Sequence, residues 1–181
     1  MKNEQVLVIM DMQDGFIGDR ARLPICNENR DSFLTQCVDL INYWTQRGGN
    51  LIYVQTIYGK WSPLNIFTNS AVKIGTTGTD LVDGIYKEDS PVFLKNTTNI
   101  FSNTAFDAHL VEQQYRELFI CGVFIEYCVS KAAYVALQKG YKVSVVSDLV
   151  GYRNLNKCKK IMGQMGKAGI DLLNREQCMN L

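Results

Sequence analysis

The fold is decided by the stretch Glu117-Leu-Phe-Ile-Cys-Gly-Val-Phe-Ile-Glu-Tyr-Cys-Val-Ser-Lys-Ala-Ala-Tyr-Val-Ala-Leu137. Its apolar start, residues 118–121, is typical of a buried strand, and Gly122 interrupts that run. From residue 128 onward the apolar spacing and the composition predict a helix that reaches residue 138. The stretch therefore predicts a strand followed by a helix, with Cys128 at the junction.

A cysteine at such a junction has two interpretations. In the first turn of a helix, Cys128 faces the positive end of the helix dipole and unpaired N–H groups, which favour thiolate over thiol. We then expect a pKa roughly one to two units below the ordinary value of about 8.5. The alternative is a buried and inert thiol, which is the interpretation we give to Cys121 in the strand.

Two other strands end in a charged residue. The apolar run 6–10 ends at Asp11, and the short run 92–94 ends at Lys95. A carboxylate at the end of a core strand is costly to bury unless it has a partner or a chemical task. In an open parallel sheet the carboxyl ends of several strands converge on one crevice, so Asp11, Lys95 and Cys128 are expected to meet there. A purely structural salt bridge between Asp11 and Lys95 is the alternative.

The order of the predicted elements favours an α/β fold. Strands are predicted at residues 6–10, 51–56, 92–94, 118–121, 142–147 and 170–173. Helices are predicted at residues 31–47, with Asp31 or Ser32 as its cap, and at 79–83, 104–115, 128–138 and 156–167. This alternation predicts a three-layer α/β/α sandwich with a mainly parallel, Rossmann-like sheet of about six strands. We expect one domain over residues 1–181.

Composition excludes several classes of protein. The chain is 46% hydrophobic and 20% charged with a net charge of +1, so it has no electrostatic footprint for nucleic acid or for an anionic membrane. Its apolar runs are shorter than the ~20 residues that a membrane helix needs. The six cysteines are scattered and no signal peptide is recognised, which predicts a reducing, cytoplasmic setting. The segment 59–75 is predicted to be a long loop that covers the site.

Five ordered motifs extend over nearly the whole chain. They are Asp11-Met12-Gln13 followed by Phe16, then Gly75-Thr76-Thr77-Gly78, then Lys95 with Phe101 and Thr104, then Gly122-Val123 with Cys128-Val129, and finally Gly140-Tyr141-Lys142-Val143 with Asp148. In this order they resemble the isochorismatase-like cysteine hydrolase superfamily, which includes nicotinamidases and N-carbamoyl amidases.

The resemblance implies a catalytic triad of Asp11, Lys95 and Cys128. It also implies a cis peptide bond between Val123 and Phe124, with the backbone N–H groups of Phe124 and Cys128 as the oxyanion hole. It implies hydrolysis of a C–N bond in a small amide-type substrate through a thioester on Cys128. No cofactor is expected, because of the first departure from the superfamily described below. A homo-oligomer, a dimer or larger, is expected as well.

Three residues are candidates for substrate binding. Gln13 and Phe16 follow the first strand, and Trp61 lies in the predicted covering loop together with Phe67. For Trp61, packing under the loop or at a subunit interface is an equally open interpretation.

The chain departs from the superfamily at two places. Nicotinamidases hold a metal through an aspartate and histidines after the second strand, whereas residues 53–69 here contain no histidine, aspartate or glutamate. The single histidine, His109, is expected on an exposed helix face, so no metal site is predicted. Many relatives also carry Thr and Asp shortly before the cysteine, where this chain has Ile125-Glu126-Tyr127, which leaves the substrate open.

Two other functions fit the same residues. Isochorismatase itself cleaves a vinyl ether and lacks the cysteine, so an ether hydrolase would use Asp11 as an acid and leave Cys128 without a role. A substrate with carboxylates would then need basic residues, for which Lys60 and Arg153 are candidates. The third possibility is a catalytically silent scaffold that binds a metabolite or a protein.

Overall fold

The computed structural model describes residues 4–181. Its strands are β1 Gln5–Met10, β2 Asn50–Thr56, β3 Val92–Lys95, β4 Glu117–Val123, β5 Lys142–Gly151 and β6 Asp171–Leu173. They form one six-stranded sheet in the order β3-β2-β1-β4-β5-β6, and every neighbouring pair is parallel. The chain therefore moves outward from β1 to β3, crosses to β4, and continues toward the other edge.

Helices cover both faces of this sheet. They are α1 Asp14–Ile17, α2 Arg30–Gln46, α3 Leu64–Phe67, α4 Thr104–Glu112, α5 Ser130–Gln138, α6 Leu155–Lys167 and α7 Arg175–Met179. Single 3-10 turns occur at Thr77–Thr79 and Ile100–Ser102, and a π turn occurs at Ile125–Val129. None of the helices between residues 4 and 181 combines the length and the apolar character that a bilayer crossing requires.

The alternation of side chains along β1 divides the core into two layers. Leu7 and Ile9 belong to one apolar cluster, which includes Trp44 of α2. Val8 belongs to the opposite cluster, which includes Phe106 of α4. Successive side chains of a strand point to opposite faces, so a central strand covered on both faces is apolar throughout.

Gly122 allows β4 to approach β1 closely at the end of the sheet. Its φ is +108°, and a Cβ placed there would lie 2.1 Å from the carbonyl oxygen of Met10. A side chain at this position would meet backbone that cannot rotate away, and the positive φ adds a further penalty. The glycine therefore sets the path of the chain just before Phe124, and the Val123–Phe124 peptide bond is cis.

The predicted α/β class and the parallel sheet are confirmed, but the helix predicted at residues 79–83 is wrong. Only the 3-10 turn Thr77–Thr79 forms there. The backbone after it pairs with the segment beyond β1, since Asp14 N donates to Asp80 O at 2.9 Å and Val82 N donates to Met12 O at 3.0 Å. These hydrogen bonds hold residues 80–82 in an extended conformation, as the bridge between Gln13 and Leu81 also shows.

Other expectations need smaller corrections. The cap of α2 is Asn29, whose side chain accepts a hydrogen bond from Ser32 N, and neither Asp31 nor Ser32 acts as the cap. His109 is partly buried instead of exposed, because its ring packs against Phe93 with the ring centres 5.3 Å apart. The predicted loop 59–75 contains the short helix α3.

Candidate active site

The polar residues at the strand ends lie at the point where the strand order changes direction. Asp11 follows β1, Thr56 and Lys95 are the last residues of β2 and β3, and Cys128 comes shortly after β4. Because β1 and β4 are neighbours in the sheet but distant in the chain, their carboxyl ends leave a crevice between diverging connections. Such a crevice is the usual place for a ligand in an open α/β sheet.

Asp11 and Lys95 form a buried ion pair that Thr56 completes. Lys95 Nζ lies 2.7 Å from Asp11 Oδ2, and the two side chains are 0% and 1% exposed. Thr56 Oγ1 donates to Asp11 Oδ1 at 2.9 Å and accepts a hydrogen bond from Lys95 Nζ. Lys95 Nζ also donates to Cys128 Sγ at 3.2 Å. All three N–H bonds of the ammonium group are therefore used, and both carboxylate oxygens have a donor.

Cys128 lies in a π turn and not in the first turn of a regular α-helix. Val129 N donates to Phe124 O at 3.2 Å, five residues back, and α5 begins only at Ser130. The residue is 8% exposed. π turns are rare and are frequently found at functional sites, where they alter the direction of a side chain. The expected helix start at Cys128 is thus displaced by two residues, and the thiol faces Lys95.

The thiol is protonated, which corrects the expectation of a depressed pKa. Burial raises the pKa of Cys128 to about 12; Lys95 acts in the opposite direction, and the nearby Asp11 carboxylate raises it further. Burial by itself would lower the pKa of Lys95, but Asp11 and Cys128 together raise it above its ordinary value. At neutral pH the site therefore holds an ammonium group and a neutral thiol, since burial outweighs a single cation that is already paired with a carboxylate.

A cavity of about 390 Å³ opens beside these residues. Its walls are mostly apolar and aromatic. The lining residues are Asp11, Phe16, Leu23, Thr56, Tyr58, Leu64, Phe67, Thr68, Thr98, Phe124, Tyr127, Cys128 and Arg153. Phe16 and Phe124 meet edge to face with ring centres 5.1 Å apart, which fixes one wall next to the thiol.

The three candidate substrate-binding residues have different surroundings. Phe16 lines the cavity. Gln13 does not: its amide is buried, donates to Thr56 O at 3.0 Å and to Thr79 O at 2.7 Å, and accepts from Thr56 N at 2.8 Å. It therefore fixes the end of β2. Trp61 is 87% exposed and lies outside the cavity, whereas Phe67, from the same loop, lines it.

The structure adds two residues that sequence reasoning missed. Thr56 is the last residue of β2, but Gln55 already ends the apolar run of that strand, so the argument from strand ends does not single out Thr56. Tyr58 lies two residues further on and lines the cavity. No pattern in the sequence distinguishes it from the other tyrosines.

Glu126 joins the π turn to the loop after β5. Its Oε1 accepts hydrogen bonds from Arg153 N at 2.8 Å and from Asn154 N at 2.7 Å. The Arg153 guanidinium donates to Pro24 O, which holds this exposed side chain at the rim of the cavity. The Ile125-Glu126-Tyr127 departure therefore has a structural role, because Glu126 fixes the position of a cation next to the cavity.

The family profile described as the isochorismatase domain matches residues 5–177. The chain belongs to the isochorismatase family. A curated relative, the uncharacterized isochorismatase family protein YddQ of Bacillus subtilis (strain 168), is 22% identical over 157 residues, which cover 86% of this chain and 82% of YddQ.

Solved structures share the family fold over almost the full length. The pyrazinamidase of Pyrococcus horikoshii, in complex with zinc, has a TM-score of 0.83 at 21% identity and covers 94% of this chain and 99% of its own. A nicotinamidase from Bacillus subtilis has a TM-score of 0.85 at 18% identity, again with 94% and 99% covered. At these identities the similarity establishes the fold alone.

The residues around the cavity do not fit a zinc ion. Within residues 4–181 no group of three or more His, Cys, Asp or Glu side chains is arranged to hold a metal. The wall formed by the segment after β2 presents Tyr58, Leu64 and Phe67. The carboxylate in the cavity, Asp11, already has Lys95 and Thr56 as partners on its two oxygens. Zinc requires several nitrogen, sulfur or carboxylate ligands, so this donor set is unsuitable.

Proposed function

We propose that this protein is a metal-independent cysteine hydrolase that cleaves a C–N bond, of the amide or carbamoyl type, in a small molecule. One observation carries the proposal: a buried lysine contacts both a carboxylate and a thiol beside a mostly apolar cavity. A buried ion pair with a structural role alone needs neither the thiol nor the cavity. Pyrazinamidase and nicotinamidase, the proteins named above, are amidases by name, which supports the same reaction class.

In the first half of the reaction, the Cys128 sulfur attacks the carbonyl carbon of the substrate while the thiol proton moves to Asp11. A neutral resting thiol suits this order, since the base removes the proton as the C–S bond forms. The N–H groups of Phe124 and Cys128 are the proposed donors to the oxyanion. Asp11 then passes its proton to the leaving nitrogen, the C–N bond breaks, and an acyl thioester remains on Cys128.

In the second half, water replaces the amine. Asp11 accepts a proton from the water as its oxygen attacks the thioester carbonyl. The C–S bond breaks, the sulfur takes the proton back, and the carboxylic or carbamic acid leaves. Lys95 pairs with the Asp11 carboxylate and holds it next to the sulfur, so that it can act as base, acid and base again in one turnover.

A second candidate is an isochorismate-type vinyl ether hydrolase. The observation in its favour is Arg153, whose guanidinium lies at the rim of the cavity and would suit a substrate carboxylate. This reaction uses Asp11 as an acid and does not need the thiol. The contact between Lys95 and Cys128 has no function in it, and we therefore rank it second.

The test is release of ammonia from a panel of small primary amides, repeated with Cys128→Ala. We expect Cys128→Ala to lose at least about 10³-fold in turnover while its unfolding curve stays close to that of the parent, because the change removes a nucleophile and little volume. Cys121→Ala is the matched control: that thiol is buried in β4, so its loss lowers stability and leaves turnover intact.

Two further measurements complete the experiment. Mass spectrometry of the quenched parent enzyme should find the acyl group on Cys128, and dialysis against EDTA should leave turnover unchanged. Near-normal ammonia release by Cys128→Ala would refute covalent catalysis, and no ammonia release from any amide by the parent would favour the ether hydrolase. Activity that is lost to EDTA and restored by zinc would refute metal independence.

A further inference from the structure

Tyr58 carries a hydroxyl group that the protein itself leaves unused. Across residues 4–181 this hydroxyl has no hydrogen-bond partner. Its oxygen keeps some accessible surface, whereas the unpaired Ser144 Oγ is fully buried. The residue as a whole is only 5% exposed and lines the cavity together with Asp11 and Cys128. The hydroxyl is also close enough to Asp11, Lys95 and Cys128 for their charges to act on its pKa, which places it on the side of the cavity where a substrate would bind.

The backbone of Tyr58 is fixed, although the residue belongs to the segment after β2. Tyr58 N donates to Val72 O at 2.9 Å, and Ile74 N donates to Tyr58 O at 2.9 Å. Together they form a short parallel bridge opposite Lys73. The ring belongs to the apolar cluster on one face of the sheet. The phenol is thus held in place before any ligand binds, which lowers the entropic cost of using it for recognition.

The other buried polar side chains of the cavity are already paired. Both oxygens of Asp11 accept hydrogen bonds, and the Thr56 hydroxyl donates to Asp11 while it accepts from Lys95. Cys128 accepts from Lys95. Among the buried polar groups that line the described cavity, the Tyr58 hydroxyl is therefore the one that has hydrogen-bonding capacity to offer a substrate.

The phenol is a neutral donor at physiological pH. Burial raises the pKa of Tyr58 to about 12; Cys128 and Asp11 act in the same direction, and Lys95 acts against them. A neutral O–H donates to an uncharged acceptor such as a hydroxyl, carbonyl or ring nitrogen. The surrounding walls are apolar, so a water molecule at this hydroxyl would have few further partners and is readily displaced.

We propose that Tyr58 is a specificity-determining residue that donates a hydrogen bond to an acceptor atom of the substrate next to the scissile carbonyl. The substrate class is then a small amide with an apolar body and an uncharged oxygen or nitrogen on the carbon adjacent to the carboxamide. The inference rests on the proposed function for the identity of the scissile group. A substrate without the acceptor leaves the O–H unpaired in an apolar cavity, and selectivity follows from that penalty.

The experiment compares two amides of nearly equal shape, lactamide and isobutyramide, in which a hydroxyl replaces a methyl group. Turnover is measured as kcat/KM for ammonia release, and affinity is measured by NMR titration in the Cys128→Ala background. Each measurement is made with and without Tyr58→Phe, which removes one oxygen atom. Tyr86→Phe is the matched control, because its hydroxyl bonds to Ser90 O outside the cavity.

We expect Tyr58→Phe to lower both kcat/KM and affinity for lactamide about tenfold, the size expected for one lost hydrogen bond. For isobutyramide, both quantities should stay within about twofold of the parent values. Tyr86→Phe should change neither amide. The pH dependence of Cys128 alkylation should be the same in the parent and in Tyr58→Phe, because the phenol acts on the substrate and not on the thiol.

Three results would overturn the inference: equal loss for both amides, no loss for either, or no binding of either amide to the Cys128→Ala protein. Tyr58-dependent binding of lactamide without ammonia release by the parent would support the inference and refute the proposed hydrolysis. If the parent releases ammonia but Tyr58→Phe affects the two amides equally, the proposed hydrolysis is supported and the inference about Tyr58 is refuted. The two proposals therefore fail in different ways.

Discussion

Replacement of Lys95 by methionine tests the physical account of the buried triad. Methionine keeps a similar length and removes the charge and the three N–H donors. In the parent, Nζ lies 2.7 Å from Asp11 Oδ2 with both side chains shielded from solvent. At this distance, the attraction between unit charges is about 6 kcal/mol for an effective dielectric constant of about 20. Much of that attraction is offset by the desolvation of both ions.

The measurable cost is that of leaving Asp11 buried without its counter-ion. We expect the free energy of unfolding to fall by about 3–5 kcal/mol. For a chain of this length that loss corresponds to a decrease in Tm of about 6–20 °C. The double variant Lys95→Met, Asp11→Asn should recover a large part of the loss, because no carboxylate then remains to be compensated.

The assay is urea unfolding at pH 7, followed by circular dichroism, for the parent, Lys95→Met, Asp11→Asn and the double variant. A loss below about 1 kcal/mol in Lys95→Met would place the pair in the range of solvent-exposed salt bridges and would refute the description of a dry ion pair. Single variants whose costs simply add in the double variant would refute the direct coupling of the two residues.

Two further predictions concern the thiol and the end of β4. Burial raises the pKa of Cys128 to about 12. The rate of its alkylation by iodoacetamide, measured in a Cys26→Ser protein, should therefore rise about tenfold per pH unit and continue to rise beyond pH 9. A plateau of that rate near pH 8 would contradict the protonated thiol. By linkage, the part of the stability due to this protonated thiol is present below pH 9 and is lost as the pH rises toward 12. Gly122→Ala should cost about 2–5 kcal/mol in urea unfolding, since the new Cβ meets backbone, whereas Gly140→Ala, where nothing lies within 4 Å, should cost about 1–2 kcal/mol. Equal costs at the two glycines would refute the close approach.

Most of the fold is determined by local patterns in the sequence. The apolar run of β1 and the run interrupted by Gly122 have the length and the flanking residues of strands, and the helix that follows has helical spacing. The helix predicted at residues 79–83 failed because its backbone hydrogen bonds are made with residues 12–14, far away in the chain. Local propensity carries no information about such a partner.

In the candidate site, too, some residues could be predicted from local sequence and others could not. Asp11, Lys95 and Cys128 stand out in the sequence because charged or reactive groups at strand ends are costly without a task. Thr56 and Tyr58 do not stand out in this way. Gln55 already interrupts the apolar run before Thr56, and the importance of Tyr58 comes from a bridge to residues 72–74 and from the shape of the cavity. Gln13 and Trp61 were candidates because of their places in the sequence. The amide of Gln13 forms all its hydrogen bonds with backbone groups, and the side chain of Trp61 faces solvent.

The ends of β1, β2 and β3 were located from the sequence to within one residue, and with them the side chains of Asp11 and Lys95 at one edge of the sheet, whereas β4 and β5 extend beyond their predicted ends to Val123 and Gly151. The protonation state of Cys128 was decided only by the tertiary structure. The sequence indicated a cation and a helix start near the thiol, both of which lower its pKa. The Asp11 carboxylate beside that cation was also expected from the sequence; the folded protein adds the burial of the thiol, which outweighs the cation and raises the pKa. Desolvation depends on how closely distant segments pack around a group, and that quantity does not exist until the chain has folded.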